Sequence, residues 1–302
     1  MPTLRYLHLD VFTDRALEGN QLAVFPDARG LDAGLMQRIA REMAFSETTF
    51  ILPPERAGGC RMRIFTPGAE LPIAGHPTVG STFALAAGGA IAAGQPSFVF
   101  ELAIGPTPVT LEWNGTRLDF VWMTQPLPVV GARVNDRHAF AAAIGIGIDD
   151  LMPDLPIEAV SCGNPFVFAP LRTRQVVDRV TLDRMAFQAI CDQVAPDAHG
   201  VFVFSREETD EAHEVAYSRM LAPGLGIGED PATGSASGPL GCYLVAHGLV
   251  GAEQAAHMVS VQGVRMGRPS RVHIAIELDE GRIAGVRVGG RSVLLGDGTI
   301  TI

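Results

Sequence analysis

Apolar residues fall in short runs along most of this chain rather than in long amphipathic stripes. Residues 61–66, 97–103, 108–113, 118–123, 201–205, 271–278 and 285–295 are β-rich runs bounded by turn residues, which predicts strands. Helices are predicted over 31–44, 136–144 and 182–193, with Asp32 and Asp136 as helix-start acids. Two more stretches, 71–100 and 231–252, hold no Asp, Glu, Lys or Arg. Their Gly and Pro content, and the polar start of the first (His76, Thr78, Ser81, Thr82), argue against membrane spans and for helices buried on all sides. A helix without a polar face must be enclosed, and a curved sheet wrapped around it does that.

The pattern occurs twice. Gly19-Asn20-Gln21-Leu22-Ala23-Val24-Phe25 is echoed by Gly163-Asn164-Pro165-Phe166-Val167-Phe168, an offset of 163 − 19 = 144 residues, close to half of 302. Further on, Glu70-Leu71-Pro72-Ile73-Ala74-Gly75-His76-Pro77-Thr78-Val79-Gly80-Ser81 leads into one uncharged segment. Gly228-Glu229-Asp230-Pro231-Ala232-Thr233-Gly234-Ser235-Ala236-Ser237-Gly238 leads into the other. Two features repeated in the same order point to duplication. The expected fold is therefore α+β, with two pseudo-symmetric domains, each a curved, mostly antiparallel sheet around a central buried helix. Pro126 and Pro128 mark the boundary, giving domains 1–125 and 126–302, with the last C-terminal residues free to return to the first.

Composition narrows the function. A net charge of −10 disfavours nucleic-acid binding, which needs a clustered positive surface. The first residues lack the apolar core of a signal peptide, and the four cysteines (60, 162, 191, 242) have no metal-type or redox-motif spacing. Reduced, buried thiols in a cytoplasmic protein are expected. The eight histidines show no paired ligand spacing, so no metal is expected. No G-x-G-x-x-G opens a βαβ unit, and Gly224-Leu225-Gly226-Ile227-Gly228 runs into acidic residues that would repel a pyrophosphate. No cofactor is expected.

Candidate chemistry gathers at the two loops. Helix-start amides after Gly-rich turns form anion sites, here at Gly75 and at Gly234 with Ser235; the same glycines would equally serve close packing. Glu47, in Ala44-Phe45-Ser46-Glu47-Thr48-Thr49-Phe50, lies between a helix and a strand. Apolar flanks raise a carboxyl toward the range useful for moving protons, whereas a turn begun by Ser46 would leave it solvated. His76, held between Gly75 and Pro77, could donate or accept a proton or simply be structural. Asp230, before Pro231, takes the matching place in the second half, with helix capping as its competing role.

These segments carry a resemblance. Gly19-Asn20, Ser46-Glu47-Thr48-Thr49, the 70–80 run, Gly163-Asn164-Pro165 and the 226–235 run are similar, in order and over nearly the whole chain, to the PhzF-like isomerases of phenazine biosynthesis. The resemblance implies a diaminopimelate epimerase-like fold with the active site in an interdomain cleft. It also implies proton transfer by a glutamate in the S-E-T motif, which is Glu47, during isomerisation of a dihydro-hydroxyanthranilate. The family's His, Asp and Ser positions fall on His76, Asp230 and Ser235, and Asn20 and Asn164 join Gly75, Gly234 and Ser235 as candidate substrate-binding residues. Related racemases carry one cysteine in each loop, at positions corresponding to Gly75 and Asp230, so two-thiol racemisation is not expected.

The expected function is thus a cofactor-independent 1,3- or 1,5-proton shift in a small carboxylate, by a homodimer without nucleic-acid or membrane partners. The rival readings are a non-catalytic binding member of the family and a serine hydrolase using Ser235, although Gly234-Ser235-Ala236-Ser237-Gly238 lacks the strand of a nucleophile elbow.

Overall fold

The computed structural model describes residues 3–56, 58–198, 200–207, 209, 211, 213–223 and 227–302; Gly224, Leu225 and Gly226 of the glycine-rich run lie outside them. Among the described residues two units emerge: 3–124 with 227 and 288–302, and 125–223 with 228–287.

The first unit runs β1 (Thr3–Val11), β2 (Asn20–Phe25), α1 (Ala33–Met43), β3 (Glu47–Leu52), β4 (Cys60–Phe65), β5 (Glu70–Leu71), α2 (Gly75–Ala87), β6 (Ser97–Leu102), β7 (Gly105–Asn114) and β8 (Arg117–Gln125). The second begins with β9 (Val129–Arg133), α3 (Arg137–Ala143), β10 (Glu158–Ser161), β11 (Pro165–Leu171), α4 (Arg174–Arg179) and α5 (Arg184–Val194). It continues through β12 (Val201–Ser205), β13 (Glu214–Ala222), β14 (Ile227–Asp230), α6 (Gly234–Ala246), α7 (Ala252–Ala255), β15 (Met258–Gln262) and β16 (Ser270–Asp279). After β17 (Arg282–Gly290), β18 (Ser292–Thr301) pairs antiparallel with β1, which returns the C-terminus to the first unit.

Strand pairing repeats step by step. β1–β2 and β10–β11 are antiparallel; β2–β3 and β11–β12 are parallel. β3–β4 and β12–β13 are antiparallel, β4–β6 and β13–β15 parallel, and β6–β7 and β15–β16 antiparallel. Each parallel pair is spanned by helical chain, as parallel strands require a crossover.

The uncharged helices sit against the sheets as a helix lacking a polar face must. α2 packs on β1, β2, β3 and β18, and α6 on β10, β11 and β16. Their small residues allow the approach: a Cβ at Gly80 would stand 2.6 Å from both Leu22 and Val11, and one at Gly241 2.6 Å from Ile274. The amphipathic helices pack elsewhere. α1 buries Met36, Ile39 and Ala40 against Phe25, Phe50 and Phe65, while Phe140, Val177, Phe187 and Cys191 of α3–α5 join Val167, Val201 and Val203.

Asp32 and Asp136 are the N-caps of α1 and α3, accepting from the amides of Leu35 and Ala139 at 2.8 and 2.9 Å. Two expectations change. Residues 71–100 are helical only over Gly75–Ala87, because Gly88 and Gly89 close the helix before β6. Residues 285–295 are two strands: the chain leaves the ladder at Arg291, whose carbonyl accepts from the Phe12 amide, and alternation alone does not mark that break. Among the described residues, no helix is long and apolar enough to cross a membrane.

Candidate active site

In the first unit the site is built by β2, β3 and the start of α2. Gly19 adopts φ +71°, and a Cβ there would lie 2.4 Å from the Val11 carbonyl oxygen, so only glycine delivers Asn20 into the interior. α1 ends with Ala44 in the left-handed conformation, and β3 opens three residues later with Glu47, opposite Leu22 of β2. Glu47 is therefore a strand residue, and a buried one, not a solvated turn acid.

His76 is the second residue of α2. Its Nδ1 lies 3.4 Å from Glu47 Oε2 and 3.1 Å from the Asn20 side-chain amide, so three of the sequence-predicted residues of this half come together. Burial pushes the imidazole down from its ordinary 6.5 to about 3, against an opposing hydrogen bond to the Gln21 backbone, which leaves the ring neutral at physiological pH. Nε2 is buried and has no hydrogen-bond partner among the described residues. Ala74, the N-cap of α2, makes no side-chain cap, and Pro77 has no N–H, so Gly75 and His76 supply the open amides of this helix start.

In the second unit Asp230 ends β14 and is buried. It does not cap α6. The N-cap is Thr233, whose hydroxyl, instead of capping, donates to Asp230 Oδ2 at 2.5 Å. Gly234 and Ser235 are the first two residues of α6, and Ser235 is half-buried. Asn164 is buried just before β11, as Asn20 is at the start of β2, after a glycine that also has positive φ.

One correspondence needs correction. Thr78 Oγ1 donates to the Ala74 carbonyl at 2.7 Å and Ser237 Oγ to the Thr233 carbonyl at 2.9 Å, which sets the helices in register at an offset of 237 − 78 = 159. The position matching His76 is therefore Ser235, and Asp230 matches Leu71. Loop composition aligned the acid with the histidine; the helix starts align it with a leucine. Sequence reasoning also missed Thr233 and Gln262. Gln262 ends a buried strand and carries no local signal, whereas Thr233 stands inside the Asp230–Ser235 motif and was legible as a hydroxyl beside an acid.

The cysteines offer no rival chemistry. All four are free and buried. Burial, with a nearby acid in each case, pushes Cys60 up to about 12 and Cys191 to about 11, far from thiolates at neutral pH. No group of three or more His, Cys, Asp or Glu positioned to hold a metal occurs among the described residues.

Residues 9–298 match the phenazine biosynthesis-like protein family. The chain belongs to this family. It is 36% identical to the trans-2,3-dihydro-3-hydroxyanthranilate isomerase of Pseudomonas chlororaphis, covering 98% of this chain and 99% of that one. A solved phenazine biosynthesis protein of the PhzF family from Bacillus anthracis superimposes with a TM-score of 0.88 at 29% identity, covering 100% of both chains. A hydroxyproline epimerase from Agrobacterium vitis shares the fold alone, with a TM-score of 0.67 at 14% identity over 99% of this chain and 92% of that one. The protein is thus a PhzF-like isomerase with the two-domain diaminopimelate epimerase-like fold.

Proposed function

We propose that this isomerase works without a cofactor and shifts a proton, 1,3 or 1,5, within a small carboxylate metabolite, with Glu47 as general acid and base. The observation that carries the reading is the buried pair in which Glu47 Oε2 lies 3.4 Å from Nδ1 of a neutral His76. A carboxyl that protonates one carbon and takes a proton from another ends in its starting state, so the reaction needs no co-reactant. The neutral imidazole can hold or return a proton beside it and can hydrogen-bond a substrate substituent through Nε2. Each unit offers an open helix start able to hold a carboxylate, the Gly75 amide in the first and the amides of Gly234 and Ser235 with the Ser235 hydroxyl in the second, where Asp230 orients a polar substituent. The first compound to test is the relative's substrate, trans-2,3-dihydro-3-hydroxyanthranilate.

Glu47→Gln keeps the size and the hydrogen-bonding capacity of the side chain but cannot carry the proton. It is expected to lower kcat by about 10²–10⁴-fold while substrate affinity changes little. Turnover at the wild-type rate would remove Glu47 from the mechanism.

A further inference from the structure

Thr233 is a helix N-cap that does not cap, and the reason lies in a buried glutamine on another strand. Gln262, the last residue of β15, is wholly buried. Its Oε1 accepts from the Thr233 amide at 3.1 Å, and its Nε2 donates to the Asp230 carbonyl at 2.7 Å and to Thr233 Oγ1 at 3.0 Å. A backbone N–H only donates and a backbone carbonyl only accepts, so the two main-chain contacts fix which end of the amide is which. With Nε2 donating into Thr233 Oγ1, that hydroxyl serves Gln262 as acceptor, and its single hydrogen is directed to Asp230 Oδ2 at 2.5 Å.

We infer that Gln262 and Thr233 are positioning residues for Asp230: a one-way relay, Gln262 to Thr233 to Asp230, that sets the orientation of the second unit's acid. The inference rests on the reading that Asp230 acts on the substrate. The same relay diverts Thr233 from capping, so that the first amides of α6 stay open beside the acid it orients. Gly263, which follows Gln262, has φ +76°, and a Cβ there would lie 2.6 Å from the Pro231 carbonyl, so the strand end and the loop are held in close contact.

The test compares Thr233→Val, Thr233→Ser, Gln262→Glu and Asp230→Asn in the full chain, by crystallography and by turnover of trans-2,3-dihydro-3-hydroxyanthranilate. Gln262→Glu nearly preserves shape but replaces the donating nitrogen with an acceptor, so the Thr233 hydroxyl turns toward residue 262 and away from Asp230. In Thr233→Val and Gln262→Glu the Asp230 carboxylate is expected to leave its present rotamer. kcat is expected to fall on the order of 10- to 100-fold with KM changed much less, as for a misplaced reacting group. Thr233→Ser, which keeps the hydroxyl, should retain both the rotamer and the rate. An unmoved Asp230 carboxylate in folded Thr233→Val overturns the relay whatever the activity. If Asp230→Asn turns over normally, the role given to Asp230 fails; if it is slow while Thr233→Val is not, the relay alone fails.

Discussion

The two halves of this isomerase share a strand plan, the buried Asn20 and Asn164 and the helix-opening Gly75 and Gly234, yet differ in where their acids stand and in the residue that follows each glycine. In the first unit the acid stands at the head of β3; the position matching Glu47, one residue before the strand facing β11, is Gly200. In the second unit the acid stands at the end of β14, and its counterpart is Leu71. At the helix starts a histidine in one unit corresponds to a serine in the other. Duplication supplied two open helix N-termini, and divergence placed one buried carboxyl in each unit at non-equivalent positions. A pair of equivalent bases, as a symmetric racemase would need, is therefore not what this duplication retained.

What stayed the same is the support. Glu70 receives a bidentate pair of hydrogen bonds from Arg63, both 2.7 Å, and Glu229 receives one from Arg219, both 2.8 Å. Each pair ties the strand before a helix start to its neighbour. The two differ in burial: side-chain exposure is 6% and 17% for Arg219 and Glu229, against 17% and 36% for Arg63 and Glu70. Arg219 also donates to the carbonyls of Val177, Asp178 and Val180.

That contrast sets the largest expected effect on stability. Arg219→Met takes from Glu229 its bidentate partner and removes three side-chain hydrogen bonds to carbonyls in a buried place, and should cost about 3–5 kcal/mol in denaturant unfolding. Arg63→Met should cost about 1 kcal/mol or less. Equal losses would mean that the two clamps are energetically alike and that burial does not separate them.

The acids give a second separation. Leu71→Asp puts a carboxylate at the matching buried place, but three residues later stands Ala74 rather than a hydroxyl like that of Thr233. An uncompensated buried acid should destabilise by about 2–4 kcal/mol, read as a lowered Tm. A Leu71→Asp protein as stable as wild type would show that Asp230 does not depend on Thr233 for its place.

The most gradual effect concerns pH. Folded His76 titrates near 3 and the unfolded residue near 6.5, so between these values the unfolded chain binds a proton that the folded chain refuses. The stability is whole above pH 6.5 and falls as the pH drops toward 3, by at most about 1.4 kcal/mol per pH unit from this residue. His76→Asn should flatten the wild-type slope in that window; identical slopes would mean that His76 is not buried neutral.

Much of this was legible in the sequence because the strongest signals were physical exclusions. Two segments without charge had to be enclosed, and the Gly-Asn pairs and Gly-rich loops repeated around them. The strands at the start of each half were harder to read, since β2, β3 and β11 are buried on nearly every residue and lose the polar alternation that marks a strand. Glu47, His76 and Asn20 converge as their motifs suggested. Gln262 did not show, because nothing in residues 258–262 announces contact with a loop some thirty positions earlier. The register of the repeat was also misread: composition matches loops by their acids, whereas the fold matches them by the first turn of a helix.

Deuterium exchange tests the central claim most directly. Wild type and Glu47→Gln would be incubated in D2O with trans-2,3-dihydro-3-hydroxyanthranilate and a panel of small unsaturated and amino acids, and followed by NMR and mass. The account predicts deuterium entering a carbon position of a carboxylate substrate with wild type and not with Glu47→Gln. Isomerisation with equal exchange in both proteins would contradict it, and the proton would then have to be carried by another group.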